Sequence, residues 1–171
     1  MVISSSPAFR QDASTRLASH APVEPLSFRP AVESDIPFLL ELRRQTMSEH
    51  LTASGVIQSK EEHMGRVLAA FECALVVMQK SEPIGLLKVD CKKKEWELVQ
   101  IQLLPSVQGQ GIGDYLLRSL VQQARAANVS LRLRVLKANP ARRLYERVGF
   151  VVVAEKANAC EMALGAGPSP S

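Results

Sequence analysis

Between Pro105 and Leu116 the chain reads PSVQGQGIGDYL, with glycines at 109, 111 and 113. An alternating apolar run, WELVQIQLL, leads into it, and a leucine-rich helical pattern leaves it. Glycine lacks a Cβ and reaches positive φ cheaply, so a strand-to-helix junction of this kind lets main-chain N–H groups converge on whatever lies at the helix start. The helix dipole favours an anion there, by roughly 0.3–1 kcal/mol for an exposed charge and more where several donors surround it. A phosphate is the natural occupant. The competing reading is a tight turn whose glycines only permit close packing.

Two phosphate-binding motifs are testable directly. A Walker A loop closes on Gly-Lys-Ser/Thr, but Gly113 is followed by Asp114 and Tyr115. A dinucleotide fingerprint needs GxGxxG inside a βαβ unit; here the spacing is GxGxG and an antiparallel meander precedes it. Neither fits.

The chain has 171 residues, of which 46% are hydrophobic, enough for one domain with a real core. No apolar run approaches the roughly 20 residues of a membrane-spanning helix, so no membrane association is expected. Cys73, Cys91 and Cys160 lie far apart, with neither a disulfide framework nor a cysteine zinc site. A reducing, cytoplasmic setting fits, and no metal is expected. The net charge of +4 gathers at Lys92 to Lys94 and at Arg142, Arg143 and Arg147. Such clusters suit a small anion or are solvated faces. Nucleic-acid binding is not expected, because aromatics are scarce and no recognised motif is present.

Residues 1–25 lack apolar periodicity and are rich in Ser, Ala and Pro, which predicts a flexible tail; residues 165–171, GAGPSPS, predict another at the C-terminal end. Between them, 26–164 form one domain. LSFRPAVESDIPFLLELRRQTM gives a strand and then a helix, with Ser34 and Asp35 as caps and Pro37 in the first turn. A second helical stretch follows Gly55, starting from Ser59. CALVVMQ, PIGLLKVD and WELVQIQLL predict three strands of an antiparallel meander. Leu116, Leu117, Leu120, Val121 and Ala124 share one face of the helix after the glycines. A strand at 131–136, a short helix with Ala141, Leu144, Tyr145 and Val148 inward, and two closing strands complete the order. The expected fold class is mixed α/β: a mostly antiparallel central sheet flanked by helices.

The stretch QGQGIG, Gln108 to Gly113, resembles the Q/R-x-x-G-x-G/A motif of the GNAT superfamily of N-acetyltransferases. WELVQIQLLPSVQGQGIG is similar to that family's central strand and pyrophosphate loop, and NPARRLYERVGF to its later helix with a tyrosine and a closing Gly-Phe. Asn139 precedes Tyr145 by six positions, one fewer than in many relatives. The likeness covers about 27–164 in the family's order of elements.

The resemblance implies acetyl-CoA as co-substrate, an amine of a small molecule or protein as acceptor, and a sheet splayed at the cofactor site. It implies that the main chain of Gln108, Gly109, Gln110, Gly111, Ile112 and Gly113 holds the pyrophosphate, that pantetheine lies along Ile101, Gln102 and Leu103, and that Asn139 and Tyr145 complete the cofactor site. An amine with a lysine-like pKa of about 10.4 is almost wholly protonated at neutral pH, so something must take its proton. Glu97, eleven residues before Gln108, stands where some protein-modifying members carry a glutamate base. Alternation would place it on the face of Val99, Ile101 and Leu103; a solvated strand residue is the other reading. Tyr145 matches the family's acid for the departing thiolate, and the amine would attack the thioester directly. Cys73 and Cys160 read as buried packing residues.

The resemblance places His50, Glu61, Glu62 and His63 in the segment that borders the acceptor pocket, as recognition groups for a cation, as metal ligands, for which their spacing fits no strong motif, or as solvated helix faces. A CoA-binding sensor or interaction module without turnover is the alternative function, and a homodimer is left open.

Overall fold

A computed structural model describes residues 24–91 and 94–165. Most of the two expected tails, and Lys92 and Lys93 of the basic turn, therefore lie outside the described residues. The elements are β1 (Leu26–Pro30), α1 (Ile36–Ala53), α2 (Lys60–Leu68), β2 (Ala74–Gln79), β3 (Glu82–Asp90), β4 (Glu95–Leu103), α3 (Ile112–Ala126), β5 (Ser130–Leu136), α4 (Ala141–Val148), β6 (Val151–Glu155) and β7 (Ala159–Leu164). Their order is the expected one. The strands form one sheet, β1-β2-β3-β4-β5-β7-β6, in which only β4 and β5 run parallel.

Helices cover both faces. Leu116, Leu117, Leu120, Val121 and Ala124 of α3 are all buried, in one cluster with Leu87, Leu98, Leu131 and Leu133 of the sheet. On the opposite face Leu39 and Leu42 of α1 and Val67 of α2 pack with Ala74 and Leu86. Ser59 caps α2 as the sequence suggests, in a reciprocal box with Glu62. Asp35 does not cap α1. Its carboxylate turns back to the Val32 N–H at 2.8 Å and takes both Arg29 Nη atoms at 2.7 Å, and Arg29 holds it below the usual carboxylate range.

β4 and β5 pair only from Glu95↔Ser130 to Leu98↔Leu133. Beyond Leu98, β4 stays on β3 while Arg134 to Leu136 stay on β7, so the sheet opens between its two central strands. At the same point the β3–β4 register slips: Val89 faces Leu98 and Lys88 faces Gln100, which leaves Val99 as an extra residue. A bulge of this kind reverses the side-chain alternation after it. Glu97 therefore shares a face with Gln100 and Gln102, not with Ile101 and Leu103, which corrects the simple alternation.

Gly85, opposite Leu103, holds the end of β4 close. A Cβ there would lie 2.5 Å from the Gln102 carbonyl oxygen and 2.7 Å from Leu103 Cδ2. Gly85→Ala must push the strands apart, and overpacking of this kind costs about 1–3 kcal/mol or more. At about 2–4 °C per kcal/mol for a chain of this size, thermal unfolding should show a drop of several degrees; an unchanged Tm would mean that the strands yield freely.

Candidate active site

The opened sheet carries two adjoining cavities. The first, of about 370 Å³, is lined by Ile101, Gln102, Leu103, Gln108, Gly109, Gly111, Ile112, Gly113, Asn139 and Tyr145, with Leu144, His50 and Arg147 around them. The second, of about 410 Å³, includes Glu97, Gln100, Arg43, Arg66 and Arg134. Met47, Ile101, Gln102, Asn139 and Tyr145 line both. The two spaces meet where β4 parts from β5.

The head of α3 leaves a run of main-chain donors bare. Gly109 and Gly111 have φ of 76° and 80°, which an L side chain adopts only at a cost. They turn the chain so that the first N–H after Gln108 to find a main-chain acceptor is that of Tyr115, on the Gly111 carbonyl at 3.0 Å. The six N–H groups from Gly109 to Asp114 have no acceptor among the described residues. Gln108 points elsewhere: its Nε2 donates to the Leu103 carbonyl at 2.9 Å and clasps the loop to the strand end. Gln110 does not line the cavity; its exposed side chain reaches the Ser106 carbonyl at 3.5 Å. Its N–H is one of the six without an acceptor.

Tyr145 is 7% exposed and stacks edge-on with Phe150, ring centres 6.0 Å apart. Burial pushes its pKa up to about 12, so the hydroxyl stays protonated and can donate. Asn139 is half committed, because its Oδ1 accepts from the Ala141 N–H at 2.9 Å and starts α4. Glu97 is exposed, not set against an apolar surface, and lines only the second cavity.

Around the second cavity lie groups that the periodic patterns did not single out. Arg43, 3% exposed, donates from Nε to His63 Nδ1 at 3.1 Å and from Nη2 to Gln58 Oε1 at 2.7 Å. Burial, then Arg66, pushes it down to about 10. Lys88, fully buried, donates to the carbonyls of Arg66, Val67 and Ala69 at 3.3, 3.0 and 2.6 Å and closes the C-terminus of α2. Burial, with Arg66 and Arg43, pushes its ammonium down to about 8. The Oε1 atoms of Gln100 and Gln102 are buried with no hydrogen-bond partner.

Of the basic cluster on α4, only Arg147 reaches the first cavity; Arg142 pairs with Glu146 at 3.0 Å. Among the described residues no three His, Cys, Asp or Glu side chains gather as metal ligands, and no helix is long and apolar enough to cross a membrane. Cys73 and Cys160 are buried, as expected, and burial pushes Cys91 up to about 12.

A model of the acetyltransferase (GNAT) domain matches residues 70–152. Solved structures share the fold at low identity. The PaiA N-acetyltransferase of Thermoplasma acidophilum, in complex with coenzyme A, is 19% identical with a TM-score of 0.65, over 82% of this chain and 99% of its own. The ribosomal-protein-S18-alanine N-acetyltransferase of Escherichia coli is 19% identical, TM-score 0.63, over 85% and 97%. The spermidine N-acetyltransferase of Vibrio cholerae, in complex with CoA and spermine, is 20% identical, TM-score 0.58, over 81% and 94%. A search of curated protein sequences returns no match. The resemblance carried by Gln108 to Gly113 thus holds: the chain has the GNAT fold, and over residues 70–152 it matches the GNAT acetyltransferase domain.

Proposed function

We propose that the chain is an acetyl-CoA-dependent N-acetyltransferase that moves the acetyl group from the thioester to a primary amine by direct attack. The observation that carries this reading is the run of six unpartnered N–H groups at the head of α3, opening on the cleft that Tyr145 lines. Those donors suit a diphosphate, and the unpaired edge of β4 beyond Leu98 suits the amides of pantetheine, as in strand addition. The bound co-substrate supplies the activated acyl group; the chain supplies position and protons.

In this reading Tyr145 gives its hydroxyl proton to the sulfur as the C–S bond breaks and the C–N bond forms. Glu97 takes the amine proton, through water, since it is the sole carboxylate among the residues lining the second cavity. A positioned base contributes roughly 10²–10⁴ in rate. Glu97→Gln should therefore lower kcat/KM by about 10² at neutral pH, and the deficit should shrink as the pH nears an amine pKa of about 10.4, where the free base forms unaided. A deficit independent of pH, or none, would remove Glu97 from proton transfer.

Thiol release from acetyl-CoA across a panel of amines tests the activity itself. Protection against heat by CoA, with no thiol released for any amine, would identify a binding module instead. Absence of protection at millimolar CoA would reject the cofactor assignment.

A further inference from the structure

The second cavity holds more positive charge than acetyl transfer needs. Arg43 is 3% exposed, yet among the described residues its guanidinium meets only neutral partners, His63 and Gln58. Of its five N–H groups, those two bonds leave three without a partner. Buried charges are ordinarily paired, because an isolated ion is costly to remove from water. Arg66 and Arg134 line the same space, and neither has an ion pair among the described residues. Against three guanidinium groups the lining offers one carboxylate, Glu97. The nearby acids lie outside it: Glu62 accepts from the Ser59 N–H, Glu72 stands near Lys88, and Glu161, opposite Arg134 in the β5–β7 register, lies 3.9 Å from Lys156.

We infer that the acceptor is a small molecule carrying a carboxylate as well as the amine, a free amino acid in chemical class, with the carboxylate bound by Arg43, Arg66 and Arg134. This rests on the acetyltransferase reading of the cleft. Guanidinium groups fit a carboxylate by paired, charge-assisted bonds, so an anion entering here completes the pairing that Arg43 lacks. The side chains of Gln100 and Gln102, 9% and 6% exposed, also line this cavity; their unpartnered Oε1 atoms are shut off from it, and turning either amide would bring an acceptor to the amine. Gln102 also lines the cofactor cavity, beside Tyr145, so the amine end lies toward the acyl group. A polyamine would instead meet three like charges. A cavity of about 410 Å³ has room for a molecule of amino-acid size.

The test compares free amino acids with their own carboxamides, with spermidine and with a short peptide lacking acidic side chains, by thiol release at saturating acetyl-CoA. The acids should exceed their amides in kcat/KM by at least about 100-fold, the scale set when a buried polar site loses its partner. Arg134→Gln and Arg66→Gln, both at exposed positions, should raise KM for the acid about tenfold and shrink its advantage over the amide in proportion. Arg43→Gln should do so most strongly, and the two exposed variants carry the test if it does not fold. Calorimetry with CoA present gives a readout without turnover, in which N-acetyl amino acids should bind at least about tenfold tighter than their amides. Equal or reversed preference, for the amide, spermidine or the peptide, overturns the inference while leaving an acetyltransferase. Failure of CoA itself to bind overturns the functional reading and this inference with it.

Discussion

Tyr145→Phe is expected to lower kcat by about 10²–10³ while CoA affinity stays within about twofold, because only the hydroxyl is lost. The ring keeps its edge-on contact with Phe150 and its place in the core, so packing is preserved. Tyr145 lines both cavities, and no hydrogen bond from its hydroxyl to another described residue holds it. A group with a pKa of about 12 is protonated at every physiological pH, so the hydroxyl holds a proton to give. The same shift has a sign that can be measured in the absence of substrate. Because the folded pKa lies above the usual value of 10.0, the native state binds the proton more tightly than the unfolded chain. That contribution is complete below pH 10 and is lost as the pH rises towards about 12, amounting to about 3 kcal/mol over the two units. The wild type should thus lose stability across this window more steeply than the phenylalanine variant. Parallel alkaline unfolding curves would show that the hydroxyl is solvated, and unchanged turnover would remove Tyr145 from the chemistry.

The order of strands and helices was legible because each element repeats one period, and Ser59, Pro37 and Gly109 to Gly113 punctuate the joints. The glycine loop was legible as a turn that bares main-chain donors for the same reason: positive φ at Gly109 and Gly111 leaves few residue choices. What escaped was set by partners distant in sequence. The bulge at Val99 depends on how β3 and β4 meet, and no local pattern in WELVQIQLL announces it. It turns Glu97 to the side of Gln100 and Gln102 and leaves Ile101 and Leu103 on the face that α3 covers. Arg43 and Arg44 read alike in ELRRQT, yet Arg44 is exposed and pairs with Glu41 while Arg43 is buried against Gln58 and His63. The carbonyls that hold Lys88 likewise come from a helix some twenty residues earlier. Gly85 gave no signal at all, because its constraint is the backbone of another strand.

Gly111→Val should weaken CoA binding by about 100-fold or more while the sheet still folds. A Cβ at Gly111 would meet nothing within 4 Å, so the protein itself has room for it. The cost lies in the backbone: φ is 80°, and a left-handed residue other than glycine costs about 1–2 kcal/mol, more when β-branched. Relief comes by rotating the loop toward negative φ, which swings the N–H groups of Gly109 to Asp114 out of their common direction. Converging donors act together on a diphosphate, and a cradle that loses two or three charge-assisted bonds, at about 1.5–3 kcal/mol each, reaches or exceeds that 100-fold loss. Gly113→Ala separates strain from contact. Gly113 has no positive φ, and its added Cβ would lie 3.5 Å from Leu144 Cδ2 and 3.8 Å from Leu103 Cδ1, at ordinary contact distance. It lies in the first turn of α3, where alanine is the better helix former by up to about 1 kcal/mol. Gly113→Ala should therefore hold or raise Tm, whereas Gly111→Val lowers it and releases CoA. If Gly111→Val bound CoA as tightly as the wild type in calorimetry, the main-chain donors at the head of α3 would not be what grips the cofactor.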